Sequence, residues 1–262
     1  MKVEFSKYQG TGNDFVLIDN RNNIIDADNF TLIKKLCDRR FGVGGDGLML
    51  LDNAPGFDFR MRYYNSDGKE GSMCGNGGRC IVAFAYHLGL ISETANFIAV
   101  DGEHEAKISK TENGIQVSLK MIDVLDIELG DDFYFLNTGS PHFVRFISKH
   151  ENFDTFTEGK KIRYNDRFAD EGTNVNFVSF QDQDITVSTY ERGVEDETYS
   201  CGTGVVASAI SASFKTGRNQ FKIKTKGGDL EVHFKKTSDT QIENIWLVGP
   251  AEQVFTGTIT TE

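Results

Sequence analysis

The chain has 262 residues, and its 28 basic and 39 acidic residues give a formal net charge of −11. This length suffices for one large domain or two of ordinary size. The acidic balance offers no basic surface for phosphates, so nucleic acid is not expected as a partner. Four cysteines are too few for a disulfide framework, and the sequence contains neither a signal-peptide pattern nor an apolar run that could span a bilayer. We therefore predict a soluble, cytoplasmic protein with no membrane partner.

Short strand-like segments dominate the chain. Segment 1–10 has a strand pattern, and alternating apolar residues predict further strands at 15–20, 48–51, 59–65, 97–100, 115–122, 143–147, 176–180, 185–191, 221–224, 230–234 and 245–249. Helical periodicity predicts three helices, at 29–40, 79–90 and 205–214. Few helices among about a dozen strands, which we expect to be antiparallel, indicate an α+β protein.

The order of these segments repeats along the chain. When Phe15 is aligned with Phe143, the distances onward to Cys74 and Cys201 are 74 − 15 = 59 and 201 − 143 = 58 residues. Near-equal spacing predicts an internal duplication. We expect one half-domain over 1–120, to which a C-terminal strand at about 251–262 returns, and a second over 121–250. Two such halves would bring the two cysteines to face each other across a cleft.

A cysteine and a glycine-rich turn precede each of the last two predicted helices, as CGNGG at 74–78 and CGTG at 201–204. The unbonded N–H groups and the dipole at a helix start favour a thiolate, and they can also hold a carboxylate. Two such elements facing each other would place a base on each side of an α-carbon, as a two-base racemase or epimerase requires.

The alternative for each motif is a buried structural thiol, because cysteine is among the most buried residue types. Two matching motifs in a duplicated frame favour chemistry instead. Cys37 and Cys80 lack this context and are predicted to be core residues. Neither motif has the C-x-x-C spacing of a redox or zinc site, so no metal is predicted.

The segment GVGGDG at 42–47 formally matches a dinucleotide-binding pattern. That pattern must follow a strand and open a helix. Here a predicted helix precedes it and a predicted strand follows, so we expect a loop instead.

Seven motifs spread over nearly the whole chain resemble the diaminopimelate epimerase family. They are GTGNDFVLID, GVGGDGLMLL, YYNSDGKEGSMCGNGGRC, TGSPHFV, NVNFV, YERGVEDETYSCGTGVVAS and LVGPAEQVFTGTI. The resemblance implies two pseudo-symmetric half-domains, each an antiparallel, barrel-like sheet wrapped around a central helix, with the active site in the cleft between them. It implies interconversion of LL- and meso-diaminopimelate in lysine and peptidoglycan synthesis, by a homodimer that uses no pyridoxal phosphate, metal or other cofactor.

The resemblance also implies roles for individual residues. Cys74 and Cys201 match the acid/base pair, and His142 and Glu191 match its polar neighbours, which can help to set which thiol is ionised. Judged without the family, His142 would be a satisfied strand residue. The positions that hold the distal amino and carboxylate groups match Asn13, Asn65, Asn174, Glu191 and Arg192, and the cradle of the reacting carboxylate matches Gly75, Asn76, Gly202 and Thr203.

Two positions depart from the family pattern. Ser140 stands where many members have asparagine, and its hydroxyl keeps one hydrogen bond but not the reach. Gly47 stands where some members have glutamine, and it contributes no side chain. Both departures concern distal recognition rather than proton transfer.

Two other functions remain open from the sequence. A cofactor-independent proline or hydroxyproline racemase of the same superfamily would act on a substrate without a second carboxylate. A non-catalytic amino-acid binder or thiol sensor would keep the fold but exchange no α-proton.

Overall fold

The structure is a computed structural model that describes residues 1–71, 73–112 and 114–261. Within those ranges the chain forms four helices and seventeen strands. The helices are α1 (Phe30–Cys37), α2 (Gly75–His87), α3 (Thr155–Arg163) and α4 (Gly202–Thr216). The strands are β1 (Lys2–Gly10), β2 (Asn13–Asp19), β3 (Gly47–Asp52), β4 (Phe59–Asn65), β5 (Thr94–Ala99), β6 (Gly102–Thr111), β7 (Gly114–Lys120), β8 (Ile127–Leu129), β9 (Phe133–Asn137), β10 (Pro141–Phe146), β11 (Asn174–Gln181), β12 (Asp184–Glu191), β13 (Asp196–Thr198), β14 (Gln220–Thr225), β15 (Gly228–Lys236), β16 (Ile242–Pro250) and β17 (Glu252–Thr260).

The chain divides into two compact units. The first unit comprises residues 1–119 together with 249–262, and the second comprises 120–248. Each unit contains two helices and its own set of paired strands.

The strands of the first unit pair mostly in chain order. β17 pairs with β1, and each strand from β1 to β6 pairs with the next one. The pairs β2–β3 and β4–β5 are parallel, whereas the other pairs are antiparallel. A parallel pair requires a crossover connection, and α1 and α2 lie in these two connections.

The second unit repeats this order. β8, β9 and β10 pair in succession, β10 continues parallel to β11 across α3, and β11 is antiparallel to β12. β12 is parallel to β14 across α4, and the antiparallel pairs β14–β15 and β15–β16 follow. The short strand β13 pairs with β12. The connections therefore match those of the first unit step by step.

The α+β class predicted from the sequence is confirmed. The expectation of wholly antiparallel sheets is wrong, because each unit contains two parallel pairs joined across helices. Among the described residues, no helix is long and apolar enough to cross a membrane.

Helices α2 and α4 are buried within their units. Every residue of 75–85 in α2 is buried, and α2 contacts β1, β2, β3, β4 and β6. In α4, eleven of the twelve residues 202–213 are buried, and the helix contacts β9 to β12, β14 and β15. Small residues permit this close approach: a Cβ on Gly204 would lie only 2.4 Å from Oδ1 of Asn176 on β11. The predicted helices at 79–90 and 205–214 therefore begin earlier, at Gly75 and Gly202.

Candidate functional site

Cys74 and Cys201 occupy equivalent positions, as the N-cap residues of the buried helices α2 and α4. Both have extended backbone dihedrals, with φ −105° and ψ 123° for Cys74 and φ −118° and ψ 113° for Cys201, and neither side chain caps its helix. Hydrogen bonding within the helices begins with the N–H groups of Gly78 and Val205, which donate to the two cysteine carbonyls. The first turns therefore direct N–H groups out of the helix end beside each thiol.

The residues predicted to cradle a carboxylate lie in these first turns: Gly75 and Asn76 in α2, and Gly202 and Thr203 in α4. Glycine at the first helical position lets a ligand approach the backbone closely. Each helix end thus combines a thiol with dipoles that favour an anion.

In the first unit, Asn13 connects the thiol to its surroundings. Its Oδ1 accepts from Sγ of Cys74 at 3.7 Å and from Nδ2 of Asn76 at 3.3 Å. Its own amide nitrogen donates to Oδ2 of Asp46 at 2.6 Å. Asn13 thereby holds Cys74 and the first turn of α2 through a single carbonyl oxygen.

A cluster of charged side chains fixes the loop that carries Asp46. Asp14 accepts two hydrogen bonds from Arg39, at 2.7 and 2.9 Å, and lies 2.7 Å from the ammonium group of Lys7. Arg39 also bonds Asp46 at 2.7 Å. Burial by itself would raise the pKa of Asp14, but the hydrogen bonds and charges of Arg39 and Lys7 outweigh it and hold that pKa well below its ordinary value. Asn13 is therefore oriented by a partner that is itself fixed.

In the second unit, His142 reaches Cys201 through Thr203. Nε2 of His142 lies 2.8 Å from Oγ1 of Thr203, and that hydroxyl lies 3.5 Å from Sγ of Cys201. His142 has no exposed surface. The sequence predicted an imidazole close to the Cys201 thiol. In the structure the Thr203 hydroxyl lies between the two groups.

Asn176 determines the tautomer of His142. The carbonyl oxygen of Phe143 can only accept a hydrogen bond, so the Asn176 group that lies 3.0 Å from it must be the NH₂ group. The same NH₂ group lies 3.0 Å from Nδ1 of His142. Nδ1 must therefore accept, and Nε2 carries the proton that it donates to Thr203. Burial lowers the pKa of His142 to about 3. The ring is neutral at neutral pH, and the Thr203 hydroxyl is free to donate toward Cys201.

Asn174 organises the loops beside this network. Its amide nitrogen donates to Oγ of Ser140 at 2.8 Å and to the carbonyl of Pro141 at 3.1 Å, while its Oδ1 accepts from the backbone N–H of Arg192 at 2.9 Å. Ser140, which departs from the family pattern, thus receives a hydrogen bond from a predicted site residue. Direct contact of Asn174 with a ligand remains a prediction.

The remaining predicted binding residues lie at strand ends. Glu191 ends β12, and its Oε2 accepts from the hydroxyl of Thr198 at 2.9 Å. The guanidinium of the exposed Arg192 donates to the carbonyl of Glu171 at 2.9 Å. Asn65 ends β4, and its side chain is exposed.

Gly47 is a steric requirement of this structure. A Cβ at this position would lie 2.5 Å from Cε2 of Tyr63 and from the carbonyl oxygen of Tyr64. The Tyr63 ring thus fills the space into which a side chain at position 47 would extend. The same ring lies 2.9 Å from the Cβ position of Gly71, beside the amide nitrogen of Asn65.

Cys37 and Cys80 are buried thiols, as predicted. Burial raises the pKa of each to about 12, so both stay protonated at neutral pH. Residues 42–46 of the GVGGDG segment lie between α1 and β3, and Gly47 begins β3, which confirms the loop prediction.

An open polar cavity of about 580 Å³ lies elsewhere in the first unit. Arg21, Asp52, Arg60 and Arg62 contribute to its lining, and none of the predicted site residues lines it. No group of three or more metal-binding side chains occurs among the described residues.

Sequence reasoning missed two residues that hold the site. Asn176 was detectable, because it lies two residues after Asn174 on β11 and residues two apart share one face of a strand. Asp46 had no comparable signal, since it belongs to a loop whose conformation depends on distant ion pairs.

Comparison with known proteins shows which family has a similar sequence. A protein-family profile described as diaminopimelate epimerase matches residues 5–121 and 134–254. The chain belongs to the diaminopimelate epimerase family. A diaminopimelate epimerase from Flavobacterium psychrophilum is 53% identical over 260 residues, which cover 98% of this chain and 100% of the relative. One from Archaeoglobus fulgidus is 38% identical and covers 98% of this chain and 96% of the relative.

Solved structures that resemble the chain have low sequence identity to it and support the family's fold alone. A Bacillus anthracis phenazine biosynthesis protein of the PhzF family has a TM-score of 0.74 at 14% identity, and all of both chains is covered. A hydroxyproline epimerase from Agrobacterium vitis has a TM-score of 0.69 at 13% identity, with 98% of this chain and 92% of the other covered. The predictions of the diaminopimelate epimerase family and of an isomerase are confirmed.

Proposed function

We propose that this chain interconverts LL- and meso-diaminopimelate by two-base proton transfer at the α-carbon. Cys74 and Cys201 are the two bases: one thiolate removes the α-proton while the other thiol delivers a proton to the opposite face. The observation that carries this proposal is the equivalent placement of the two cysteines, each the extended N-cap of a buried helix. Family membership supplies the substrate.

Each first turn contributes more than a base. The backbone N–H groups of the first turns, at Gly75, Asn76, Gly202 and Thr203, stabilise the reacting carboxylate, and negative charge on that carboxylate grows as the α-carbon loses its proton. The neutral His142 acts on Cys201 through the Thr203 hydroxyl, and Glu191 is a further polar neighbour of the thiol chemistry.

The distal end of the substrate is held by Asn13, Asn65, Asn174, Glu191 and Arg192, with Ser140 as a bonded neighbour of Asn174. A planar guanidinium such as that of Arg192 can bind both oxygens of a distal carboxylate. No metal or cofactor takes part in the proposed reaction, which serves lysine and peptidoglycan synthesis.

Proton exchange distinguishes this reaction from its alternatives. The wild-type chain is incubated in deuterated water with LL-diaminopimelate and, separately, with L-proline, and deuterium at the α-carbon is measured by mass spectrometry. We expect deuterium and the meso isomer from diaminopimelate and no deuterium in proline. Exchange of proline alone would indicate the racemase, and calorimetric binding of diaminopimelate without exchange would indicate a binder.

We also propose a cytoplasmic homodimer. All four cysteines are free thiols, which is typical of proteins in a reducing compartment. Strand β17 carries the exposed apolar side chains Val254 and Phe255, which suit a protein interface. A monomeric mass in solution at micromolar concentration would contradict the dimer.

A further inference from the structure

Arg79 is a fully buried cation five residues after Cys74 in α2, and the groups to which it donates hydrogen bonds are all neutral. Its guanidinium donates to Oγ1 of Thr11 at 3.1 Å, to Oδ1 of Asn76 at 3.2 Å, and to the carbonyl oxygens of Pro250 and Gly75 at 3.4 and 3.5 Å. Among the described residues no carboxylate forms an ion pair with it. A buried charge without a counter-charge is costly, so an arginine in this position calls for a nearby anion.

The titratable groups around Arg79 leave one candidate for that anion. Burial raises the pKa of Cys80 to about 12 and raises that of Tyr8 further, so both are neutral. The carboxylates of Asp14 and Asp46 are matched by Lys7 and Arg39. On β17, Glu252 is exposed and accepts a hydrogen bond from Gln9. The remaining ionisable group is the thiol of Cys74.

Arg79 is connected to Cys74 by contacts as well as by charge. It bonds the two residues that directly follow Cys74, at the Gly75 carbonyl and the Asn76 amide oxygen. The amide nitrogen of Asn76 in turn donates to Oδ1 of Asn13, which also accepts from the Cys74 thiol. Burial lowers the pKa of Arg79, and negative charge on Cys80 or Cys74 would oppose that effect. Because Cys80 stays protonated, Cys74 is the thiol whose ionisation favours the charged guanidinium, and the interaction is mutual.

The second unit has no such cation at the equivalent place. Five residues after Cys201, as Arg79 is after Cys74, stands the buried apolar Val206. His142, which reaches Cys201 through the Thr203 hydroxyl, is neutral because burial lowers its pKa, and the nearby charge of Arg192 lowers that pKa further. The two thiols therefore lie in different electrostatic environments although their backbones match.

We propose that Arg79 is a positioning residue whose buried guanidinium holds the first turn of α2 and favours the thiolate of Cys74, so that Cys74 begins as the base and Cys201 as the acid. The proposal rests on the proposed function, in which both cysteines transfer protons. Substrate whose α-hydrogen faces Cys74 then meets the resting enzyme in its reactive form.

Alkylation rates at each cysteine test this assignment. The full chain is treated with iodoacetamide from pH 5 to 10, and peptide mass spectrometry follows Cys74 and Cys201 separately. In the wild type we expect the Cys74 midpoint to lie at least about one pH unit below that of Cys201. Equal midpoints, or a lower midpoint at Cys201, would overturn the proposal without any variant being needed.

Two variants separate charge from packing. Arg79→Gln keeps hydrogen-bond donors but removes the charge, and it should raise the Cys74 midpoint by about one unit or more while leaving Cys201 unchanged. Arg79→Lys keeps the charge and should retain most of the wild-type midpoint. Cys80→Ala, next to Arg79, is the control and should move neither midpoint. Circular dichroism confirms folding of each variant; a folded Arg79→Gln with the wild-type Cys74 midpoint contradicts the proposal.

This outcome is independent of the proposed function. The midpoints report ionisation of the thiols whether or not diaminopimelate is a substrate. Failure of the exchange experiment with diaminopimelate would remove the reaction, whereas failure here would remove only the role of Arg79.

Discussion

His142 is the residue whose burial has the plainest chemical consequence. Its ring is enclosed, and the NH₂ group of Asn176 faces Nδ1, where protonation would place two donors against each other. The imidazole therefore acts as a fixed donor toward Thr203 rather than as a proton carrier. A histidine in this state can stabilise a thiolate on Cys201 through the Thr203 hydroxyl without titrating itself.

This burial predicts a pH dependence of stability. The pKa of His142 is about 3 in the folded chain and about 6.5 in the unfolded chain, so only the unfolded chain takes up a proton between these values. The contribution of neutral His142 to the free energy of unfolding should be complete above about pH 6.5. It should fall as the pH is lowered toward 3, by up to about 1.4 kcal/mol per pH unit. Urea unfolding from pH 7 to 4.5 should show a shallower loss for His142→Gln. Identical slopes would contradict the account.

At the scale of elements, the start of α2 shows why close packing selects glycine. A Cβ on Gly78 would lie 2.5 Å from Cε of Met73 and 2.9 Å from Cδ2 of Leu119, and one on Gly77 would lie 3.3 Å from Sδ of Met49. Glycine is a poor helix former, so the sequence pattern predicted a helix only from residue 79. Tertiary packing extends it back to Gly75, which places the N-terminus at Cys74.

Helix α3 provides a test of the same principle. A Cβ on Gly159 would lie 2.3 Å from Cβ of Tyr190 on β12. Gly159→Ala should therefore lower the free energy of unfolding by about 1–3 kcal/mol through overpacking, although alanine is the better helix former by about 1 kcal/mol. Lys160→Ala, at an exposed neighbouring position, is the matched control and should be close to neutral. A Gly159→Ala chain more stable than wild type in urea would contradict this packing.

The same helix marks what the sequence could not reveal. β4 was predicted at 59–65 with the bounds it has, because its apolar residues alternate. In α3 only Thr155, Gly159 and Ile162 are buried, so the apolar periodicity that predicts helices is missing. Its start is marked instead by Asp154, which accepts from the N–H of Thr157 at 2.9 Å, a signal that also occurs in turns.

At the scale of the whole molecule, the two units have the same order of elements but different polar networks. Position 79 is arginine and its counterpart 206 is valine, while a neutral imidazole reaches Cys201 through the Thr203 hydroxyl. The cysteines and glycine turns were predictable from the sequence because they recur. Asp46 and Asn176 lie outside those recurring motifs, and their hydrogen bonds appear only once the chain is folded.

The central claim is that Cys74 and Cys201 are both required as proton-transfer groups. We expect Cys74→Ala and Cys201→Ala each to lower the rate of LL- to meso-diaminopimelate conversion by at least about 10²–10⁴-fold, because general acid–base catalysis contributes on that scale. The buried thiol variant Cys80→Ala should stay near the wild-type rate, and thermal unfolding should show that all three variants are folded. The decisive measurement is the epimerisation rate of the two single variants. Near-complete loss in both is predicted, and wild-type turnover in either one would contradict the account.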